Sequence, residues 1–249
     1  MALPSTNIIK LDSIGSTNSY LASRAIDLPH ATVVSTYNQT AGRGQRGNTW
    51  ESEPNKNLSF SVLLRPKNII ARQQFYLSEA VSIAIVNTLN RHIPNQKISI
   101  KWPNDIYVND MKICGILIEN TLSGYNITQS IVGIGLNINQ LKFLSDAPNP
   151  ISLIHFTNVE TPLDNILNEV TDEIVSIFDH YDTTQQFDNL HNIYISMLWR
   201  KDGVYPYSTP DGSKFMASIT NVAPDGIITL CDTNNISRSF AFKEVSAII

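Results

Sequence analysis

The sequence predicts an α+β fold in which a mixed or antiparallel sheet packs on helices. The runs 32–36 and 57–64 are β-branched or alternate apolar with polar residues, as strands do. The run 73–92 is apolar on most sides and long enough for a core helix. From residue 98 to residue 139, short apolar runs alternate with turn residues, which predicts a meander of antiparallel strands.

The first elements are a short strand over 7–12 and a weakly amphipathic helix over 19–26. Ser16 and Thr17 lie between them, and a hydroxyl at that point is a good helix N-cap. The local pattern favours this capping role. A second interpretation stays open, in which the hydroxyl and amide groups of Ser16, Thr17 and Asn18 face a ligand.

The meander is predicted from apolar runs at 98–101 and 106–108, a turn at Asn109-Asp110, a return strand over 111–119 and a last strand over 125–139. A linker over 147–150 ends it. The predicted elements therefore place the strand 98–101 at one end of the meander.

A helix is predicted to begin at Thr161-Pro162, with Thr161 as cap and Pro162 at the first helical position. Apolar residues keep helical spacing to Tyr181, and a second helical stretch covers roughly 184–200. After Asp202-Gly203 the pattern alternates, with turns at Asp211-Gly212, Asp225-Gly226 and Asn234-Asn235. This change of period predicts two domains, 1–201 and 202–249.

Composition describes a globular protein with a real core, because 42% of the 249 residues are hydrophobic and 16% are charged. The formal charge of -4 and the pI of about 5.7 give no overall basic field to attract nucleic acid. Cys114 and Cys231 are far apart, which suits a reducing cytosol better than a disulfide framework.

The sequence predicts a cytoplasmic protein without a membrane partner. Residues 1–11 lack a basic start followed by an apolar signal region, and no apolar run approaches the ~20 residues that span a bilayer. The five histidines show no ligand-like spacing, so no structural zinc or histidine-based metal site is expected.

The glycine-rich stretch from Gln39 to Trp50 is the first candidate site. Glycines allow backbone N–H groups to point into one concavity, Arg43 and Arg46 add planar cations, and Trp50 offers a flat ring. Together they suit an anionic ligand that carries an aromatic group. A plain surface turn between two strands is the other interpretation, and this stretch alone does not decide between them.

Lys101 is the second candidate, because it ends an apolar strand just before Trp102-Pro103. A partly desolvated lysine there needs an anion, although a lysine that reaches from the strand end into water is an equally good explanation. Glycines recur at Gly115 and at Gly133/Gly135 on neighbouring strands. They predict either room for a flat ligand on the sheet or β-bulges.

Five short motifs follow one another in a specific order. They are Ser16-Thr17-Asn18, the Gln-Thr-Ala-Gly-Arg-Gly run 39–44, the Lys-Trp-Pro-Asn-Asp run 101–105, the Lys-x-x-Gly-Ile-Leu run 112–117, and Gly133-x-Gly135-x-Asn137. In this order the sequence strongly resembles the biotin–protein ligases. The resemblance covers about 8–200, and more weakly the C-terminal segment, which looks like that family's small SH3-like domain.

The resemblance implies roles for named residues. Lys101 and Arg43 match catalytic positions. The biotin-binding set that it implies is Ser16, Thr17, Asn18, Gln39, Arg43, Gly44, Gln45, Lys101 and Gly115. The ATP-binding set is Arg43, Arg46, Trp50, Asn104, Lys112 and Asn137, and no residue is implied as a metal ligand.

The implied reaction uses ATP, accompanied by Mg²⁺, to convert biotin into biotinoyl-5′-AMP. A lysine of a biotin carboxyl carrier protein domain then takes the biotinoyl group. One departure concerns Gln45, where some relatives carry arginine. Either Arg46 supplies that charge, or the reactive intermediate is held less tightly.

Three other functions are weighed against this one. A lipoate–protein ligase shares the fold class and the adenylate chemistry, but the glycine loop and the run 101–105 favour biotin. A ligase that also represses transcription would carry an N-terminal helix-turn-helix, whereas the motifs here begin within the first twenty residues. A non-catalytic biotin- or nucleotide-binding module would bind without releasing pyrophosphate. The resemblance also allows a homodimer through sheet edges.

Overall fold

A seven-stranded mixed sheet forms the centre of the structure, a computed structural model that describes residues 6–45, 48–144 and 148–249. Its strands are β1 (Asn7–Ile14), β2 (Thr32–Gln39), β3 (Leu58–Leu64), β4 (Ile98–Lys101), β5 (Asp105–Val108), β6 (Met111–Ser123) and β7 (Asn126–Leu136). They lie in the order β1-β2-β3-β7-β6-β5-β4. Only the β1–β2 pair of this sheet is parallel, so the predicted meander from β4 to β7 is confirmed.

Helices cover the two faces of this sheet unequally. The helices are α1 (Thr17–Ala22), α2 (Phe75–His92), α3 (Ile154–Thr157), α4 (Leu163–Thr184) and α5 (Phe187–Ser196). The core helix α2 packs against α4, α5, β4 and β5, while α1 contacts β2, β3 and β7. The large hydrophobic cluster includes α2 and α4, and a small separate cluster around Leu21 and Leu63 lies under α1.

Alternation along the strands explains this division. In β3, Phe60 and Val62 join the large cluster, whereas Leu63 belongs to the small one. The same alternation separates Val132 from Ile131 in β7. Successive side chains of a strand point to opposite faces, so one face of the sheet is packed by the long helices. The other face is left open beside α1.

A second, all-antiparallel sheet follows the helices, which is consistent with the predicted SH3-like domain. It contains β8 (Tyr205–Ser208), β9 (Lys214–Val222), β10 (Ile228–Asp232), β11 (Ser237–Phe240) and β12 (Ser246–Ala247), in the order β11-β10-β9-β8-β12. The turns between β8 and β11 lie at the three Gly/Asp/Asn pairs that the sequence indicates, and Gly212 and Gly226 take positive φ there.

The second sheet rests directly on the first unit. Trp102 donates through Nε1 to the carbonyl of Gly226 at 2.9 Å, and the Phe75 N–H donates to the carbonyl of Pro224 at 3.0 Å. Apolar residues of the second sheet also belong to the large hydrophobic cluster. The change of period predicted near Lys201 falls between α5 and β8. The division into domains 1–201 and 202–249 remains a prediction.

Several predicted helix boundaries differ from the structure. The first helix, predicted over 19–26, is Thr17–Ala22. Pro162, not Thr161, is the N-cap of α4, because Thr161 is held outside the helix by Asn139: its N–H donates to Asn139 Oδ1, and its carbonyl accepts from Asn139 Nδ2. The second helix, predicted over 184–200, is Phe187–Ser196. It begins later because Gln185 takes a left-handed conformation and caps α4, which ends at Thr184.

The packing of α2 on α5 encloses a carboxylate. Glu79 of α2 is fully buried, and its Oε1 lies 2.8 Å from Nδ1 of His191 on α5. Burial raises the pKa of Glu79, and the hydrogen bond that His191 donates to Glu79 raises the pKa of His191. A buried carboxylate needs such a partner, because an unpaired charge in a protein interior is costly.

Within the described ranges, no helix is both long enough and apolar enough to cross a lipid bilayer.

Replacing His191 with alanine would leave the buried Glu79 carboxylate without its ion-pair partner. We expect His191→Ala to lower the free energy of unfolding by roughly 3 kcal/mol, measured by urea denaturation. His180→Ala, at an exposed position of α4, is the control and should change it little. An equal effect of the two substitutions would contradict a structural role for the pair.

The same pair predicts how stability depends on pH. A folded-state pKa above the unfolded value means that the native state holds the proton more tightly. The stabilisation by His191 is therefore complete below its usual pKa of 6.5 and is lost as pH rises through the raised value. Because the pKa of Glu79 is also raised, its contribution to stability likewise falls as pH rises above the usual value of 4.5. Denaturation at a series of pH values should show a steeper loss above 6.5 in the wild type than in His191→Gln.

Candidate functional site

The open face of the main sheet carries a patch of glycine and serine. Gly115 of β6 lies opposite Gly135 of β7 in register, and Gly135 lies opposite Ser59 of β3. One row along, Gly133 lies opposite Ser61. These residues alternate with the apolar ones that face α2 and α4. The absence of large side chains in this patch leaves a shallow floor on the sheet.

Two side chains of the protein itself lie on this floor. A Cβ added at Gly135 would be 2.1 Å from Cε2 of Trp50, and one added at Gly115 would be 3.0 Å from Cζ3 of the same indole. A Cβ at Gly133 would be 2.2 Å from Oδ1 of Asn18. The β6–β7 register is regular at all three glycines. They therefore make room for a flat ring and an amide, and bulges do not explain them.

A cavity of about 820 Å³ opens above the floor. Apart from Arg46, which lies outside the described residues, every predicted site residue lines it: Ser16, Thr17, Asn18, Gln39, Arg43, Gly44, Gln45, Trp50, Lys101, Asn104, Lys112, Gly115 and Asn137. These residues come from α1, from the strands β2, β4 and β6, and from the loops between elements, so distant segments of the chain meet at one place. The volume is in the upper part of the range of small-molecule sites.

Neutral hydrogen-bonding groups lie over β3 and β7. Gln39 Oε1 accepts from the backbone N–H of Thr17 at 3.0 Å and from its hydroxyl at 3.2 Å. The hydroxyl of Ser61 lies 2.7 Å from Thr17 Oγ1 and 2.6 Å from Asn18 Oδ1. The capping role predicted for the triplet 16–18 is confirmed for Ser16, and the ligand-facing role stays a prediction. Ser16 caps α1 through its bond from Ser19 N, while Thr17 and Asn18 face the cavity.

The two described sides of the glycine loop pair with each other. Arg43 pairs with Thr49 in an isolated antiparallel bridge. The N–H of Gly44 donates to the carbonyl of Asn48, and the N–H of Trp50 donates to that of Gly42. The N–H groups of Gly44 and Trp50 are therefore used within the loop, and the concavity lined by successive N–H groups stays a prediction. Gly42 allows the two sides of the loop to approach each other, because a Cβ there would be 2.6 Å from the carbonyl oxygen of Trp50.

Cations reach the cavity from the other end of the sheet, at β4 to β6. Lys112 pairs with Asp105 at 2.7 Å, and both side chains are mostly covered. Lys101 has its Nζ 5.1 Å from the ring centroid of Tyr107 and 5.9 Å from that of Trp199. Burial lowers the pKa of Lys101, which Asp105 partly opposes. The lysine is thus partly desolvated, as the first of the two sequence-based explanations requires.

Among the buried polar atoms of the cavity walls, two have neither a hydrogen-bond nor an ion-pair partner in the described part of the chain. They are the donor Trp50 Nε1 and the acceptor Asn137 Oδ1. The amide nitrogen of Asn137 is fixed by the carbonyl of Ile151 at 3.1 Å, which orients its oxygen. Buried groups are almost always paired in folded proteins, so these two atoms indicate a ligand that offers an acceptor and a donor.

Several cavity residues were not predicted from the sequence. They include Tyr107, Asp105, Phe143, Pro150, Trp199 and Ser246. Ser59 and Ser61 of the sheet beneath the cavity were not predicted either, although they carried a readable signal: the run Leu58–Leu64 alternates and places both serines on one face. Trp199 and Ser246 carried none. They reach the cavity only because α5 and the second sheet fold back onto β4.

No group of three or more His, Cys, Asp or Glu side chains within 6–45, 48–144 and 148–249 could hold a metal ion.

A profile of the Biotin/lipoate A/B protein ligase family matches residues 11–137, which is half of the chain and includes every predicted site residue. The chain belongs to this family. Among curated relatives, the bifunctional ligase/repressor BirA of Salmonella typhimurium is 35% identical over 147 residues, or 59% of this chain and 45% of the relative. The biotin–[acetyl-CoA-carboxylase] ligase of Paracoccus denitrificans is 36% identical over 125 residues, or 49% of this chain and 51% of the relative.

This chain thus spans about half of the length of the curated relatives that it matches. A solved biotin protein ligase from Aquifex aeolicus, in complex with biotin and ATP, superposes with a TM-score of 0.80 at 23% identity. That likeness covers 97% of this chain and 98% of the solved chain, so it includes the second sheet. The predicted α+β fold class is confirmed.

Gly135→Ala tests the floor of this family member's cavity. The new methyl group would overlap the Trp50 indole, so we expect the ring to move, at a cost of about 2 kcal/mol in the free energy of unfolding. Intrinsic tryptophan emission should shift to longer wavelength as the indole gains solvent. Gly15→Ala is the control, because its Cβ would meet only ordinary contact at 4.0 Å. Unchanged emission in Gly135→Ala would show that the glycine is not needed for the ring.

Proposed function

We propose that this chain is an ATP-dependent biotin–protein ligase. It would activate biotin as biotinoyl-5′-AMP and transfer the biotinoyl group to a lysine of a biotin carboxyl carrier protein domain. One observation carries the proposal. A single cavity combines neutral hydrogen-bonding groups over β3 and β7 with the cations Arg43, Lys101 and Lys112.

This division of polarity matches biotin, which has a neutral ureido ring at one end and a carboxylate at the other. Thr17, Asn18 and Gln39 offer donors and acceptors to the ring. Lipoate also carries a carboxylate, but its dithiolane ring forms no comparable hydrogen bonds and would leave these polar groups unpaired. The family includes ligases for both acids, and this contrast favours biotin.

The nucleotide is proposed to bind beside Trp50 and Asn137. An adenine ring has both a donor and an acceptor, which would satisfy the two buried atoms that lack partners here. Asn104 and Lys112 line the same cavity. ATP would enter as its Mg²⁺ complex, so we treat the metal as part of the substrate. Arg46 completes the predicted set but lies outside the described residues.

The first step joins two anions. A carboxylate oxygen of biotin attacks the α-phosphorus of ATP, a new O–P bond forms, and pyrophosphate leaves with the electron pair of the broken bond. Arg43 and Lys101 would offset the repulsion and the charge that develops on the phosphate oxygens. Lys101 suits this role because its ammonium is partly desolvated, and Coulomb attraction is stronger where water is excluded.

In the second step, the neutral amine of the carrier lysine attacks the acyl carbonyl and AMP leaves. The chain then needs no nucleophile of its own. Cys114, the cysteine nearest to the site in sequence, is buried, and burial raises the pKa of its thiol. A thiol is a weaker nucleophile than a thiolate, so Cys114 is unsuited to covalent catalysis.

The partner, the location and the assembly of the protein belong to the same proposal. We propose a carrier domain of a biotin-dependent carboxylase as acceptor and the cytoplasm as location. The second sheet would complete the cavity wall, since Tyr207, Ile219 and Lys243 line it. A homodimer through the edges of the main sheet remains a prediction, and sedimentation equilibrium of the purified protein measures it.

The decisive assay combines purified protein, MgATP, apo biotin carrier domain, and either biotin or lipoate. Intact mass should show one biotinoyl group on the carrier and release of pyrophosphate. A gain with lipoate alone would move the assignment to lipoate ligation. Bound biotin without pyrophosphate release would leave a non-catalytic binding module and reject the ligase.

Lys101→Ala should lower the rate of adenylate formation by about 10²-fold or more, because it removes the desolvated cation beside the reacting groups. Lys97→Ala is the matched control, since Lys97 is exposed just before the same strand β4. Pyrophosphate release measures the rate, and circular dichroism checks that both variants fold. Equal rates in the two variants would remove Lys101 from the mechanism.

A further inference from the structure

Glu119 lies on β6 at the edge of the site and is not part of the cavity lining. It follows Gly115 and Leu117 on the open face of the sheet, where β6 pairs with β7. A glutamate at the end of a sheet face is often only a solvated residue. Here its carboxylate is placed between two residues that do line the cavity.

One oxygen of Glu119 accepts two hydrogen bonds. Arg43 Nη2 donates to Glu119 Oε2 at 2.9 Å, and Asn18 Nδ2 donates to the same atom at 2.7 Å. The arginine comes from the glycine loop, the asparagine from α1 and the glutamate from β6. The carboxylate thus links three separate segments of the chain.

The contacts continue from Asn18 into the neutral part of the cavity. Asn18 Oδ1 is 2.6 Å from the Ser61 hydroxyl, which is 2.7 Å from the hydroxyl of Thr17. Thr17 donates in turn to Gln39. Gly133 allows Asn18 to lie flat on the sheet, because any Cβ there would overlap it. A continuous hydrogen-bonded chain therefore runs from Gln39 to Arg43, and Glu119 is its last link.

Arg43 needs such a link. Its side chain is 46% exposed and starts from a loop between two glycines. A long exposed side chain samples many rotamers, and fixing it costs conformational entropy whenever a substrate binds. Glu119 occupies only one of the five N–H donors of the guanidinium, so the others stay available for a substrate anion.

We propose that Glu119 is a positioning residue that holds Arg43 in place for the substrate anion and ties it to the groups around Asn18. This inference rests on the proposed ligase function. Because Asn18 and Arg43 share one oxygen, a ligand that orders Asn18 also orders the arginine. The opposite role, a latch that competes with the substrate for Arg43, would make removal of the carboxylate beneficial.

Glu119→Gln separates these roles, because glutamine keeps an oxygen for Asn18 and loses the charge that pairs with Arg43. We expect kcat/KM for adenylate formation, measured by pyrophosphate release, to fall about tenfold. The matched control is Glu160→Gln, which removes an exposed partner of Lys56 outside the cavity. Wild-type activity in Glu119→Gln, or an increase, overturns the proposal. A wild-type protein that ligates neither biotin nor lipoate refutes the proposed function instead.

Two further measurements distinguish positioning from a general loss of structure. In the Arg43→Ala background, Glu119→Gln should have almost no additional effect on kcat/KM, because it acts through the arginine. Full additivity of the two losses contradicts the proposal. In addition, trypsin should cut after Arg43 several-fold faster in Glu119→Gln than in wild type, with cleavage mapped by mass. This readout does not depend on catalysis. Equal cleavage rates in the two proteins would contradict the proposal that Glu119 holds Arg43 in place.

Discussion

The structure depends on how β3, β6 and β7 divide their side chains between the two faces of the sheet. On one face, Phe60, Val132 and Ile134 belong to the large hydrophobic cluster that includes α2 and α4. On the other face, glycines and serines stand where a sheet ordinarily has large side chains. A one-residue shift of register would exchange the two faces and abolish both the core and the cavity floor.

The open floor determines what can assemble above it. Gly115 and Gly135 admit the Trp50 indole, and Gly133 admits the Asn18 amide. Neither side chain could approach the sheet if these glycines carried a Cβ. The glycine loop and α1 are therefore positioned by the sheet beneath them as well as by their own turns. Their polar groups then meet in one hydrogen-bonded chain, from Gln39 through Ser61 to Glu119.

Charge is distributed in the same cavity in a way that a single motif cannot produce. Lys112 is already paired with Asp105, whereas Lys101 faces the rings of Tyr107 and Trp199. Aromatic faces attract a cation but do not neutralise it, so this lysine keeps a preference for an anion. The second sheet adds residues to the same wall and is held there by Trp102 and Phe75. The cavity is therefore assembled from parts of the chain that are distant in sequence.

The sequence by itself determined the elements, because periodicity and turn residues are local properties. It indicated the meander, the core helix 73–92 and the turns of the second sheet, and thirteen of the residues that line the cavity were predicted from it. It missed the cap of α4 by one residue, because Asn139, distant along the chain, holds Thr161 outside the helix.

Only the tertiary structure decided what the glycines accommodate, which residue holds Arg43 and which rings surround Lys101. These answers join residues up to about a hundred positions apart, such as Asn18 and Glu119. They depend on strand register and on how loops and the second sheet fold back onto the main sheet. Local patterns carry no information about either, because the same strand or loop sequence is compatible with many partners.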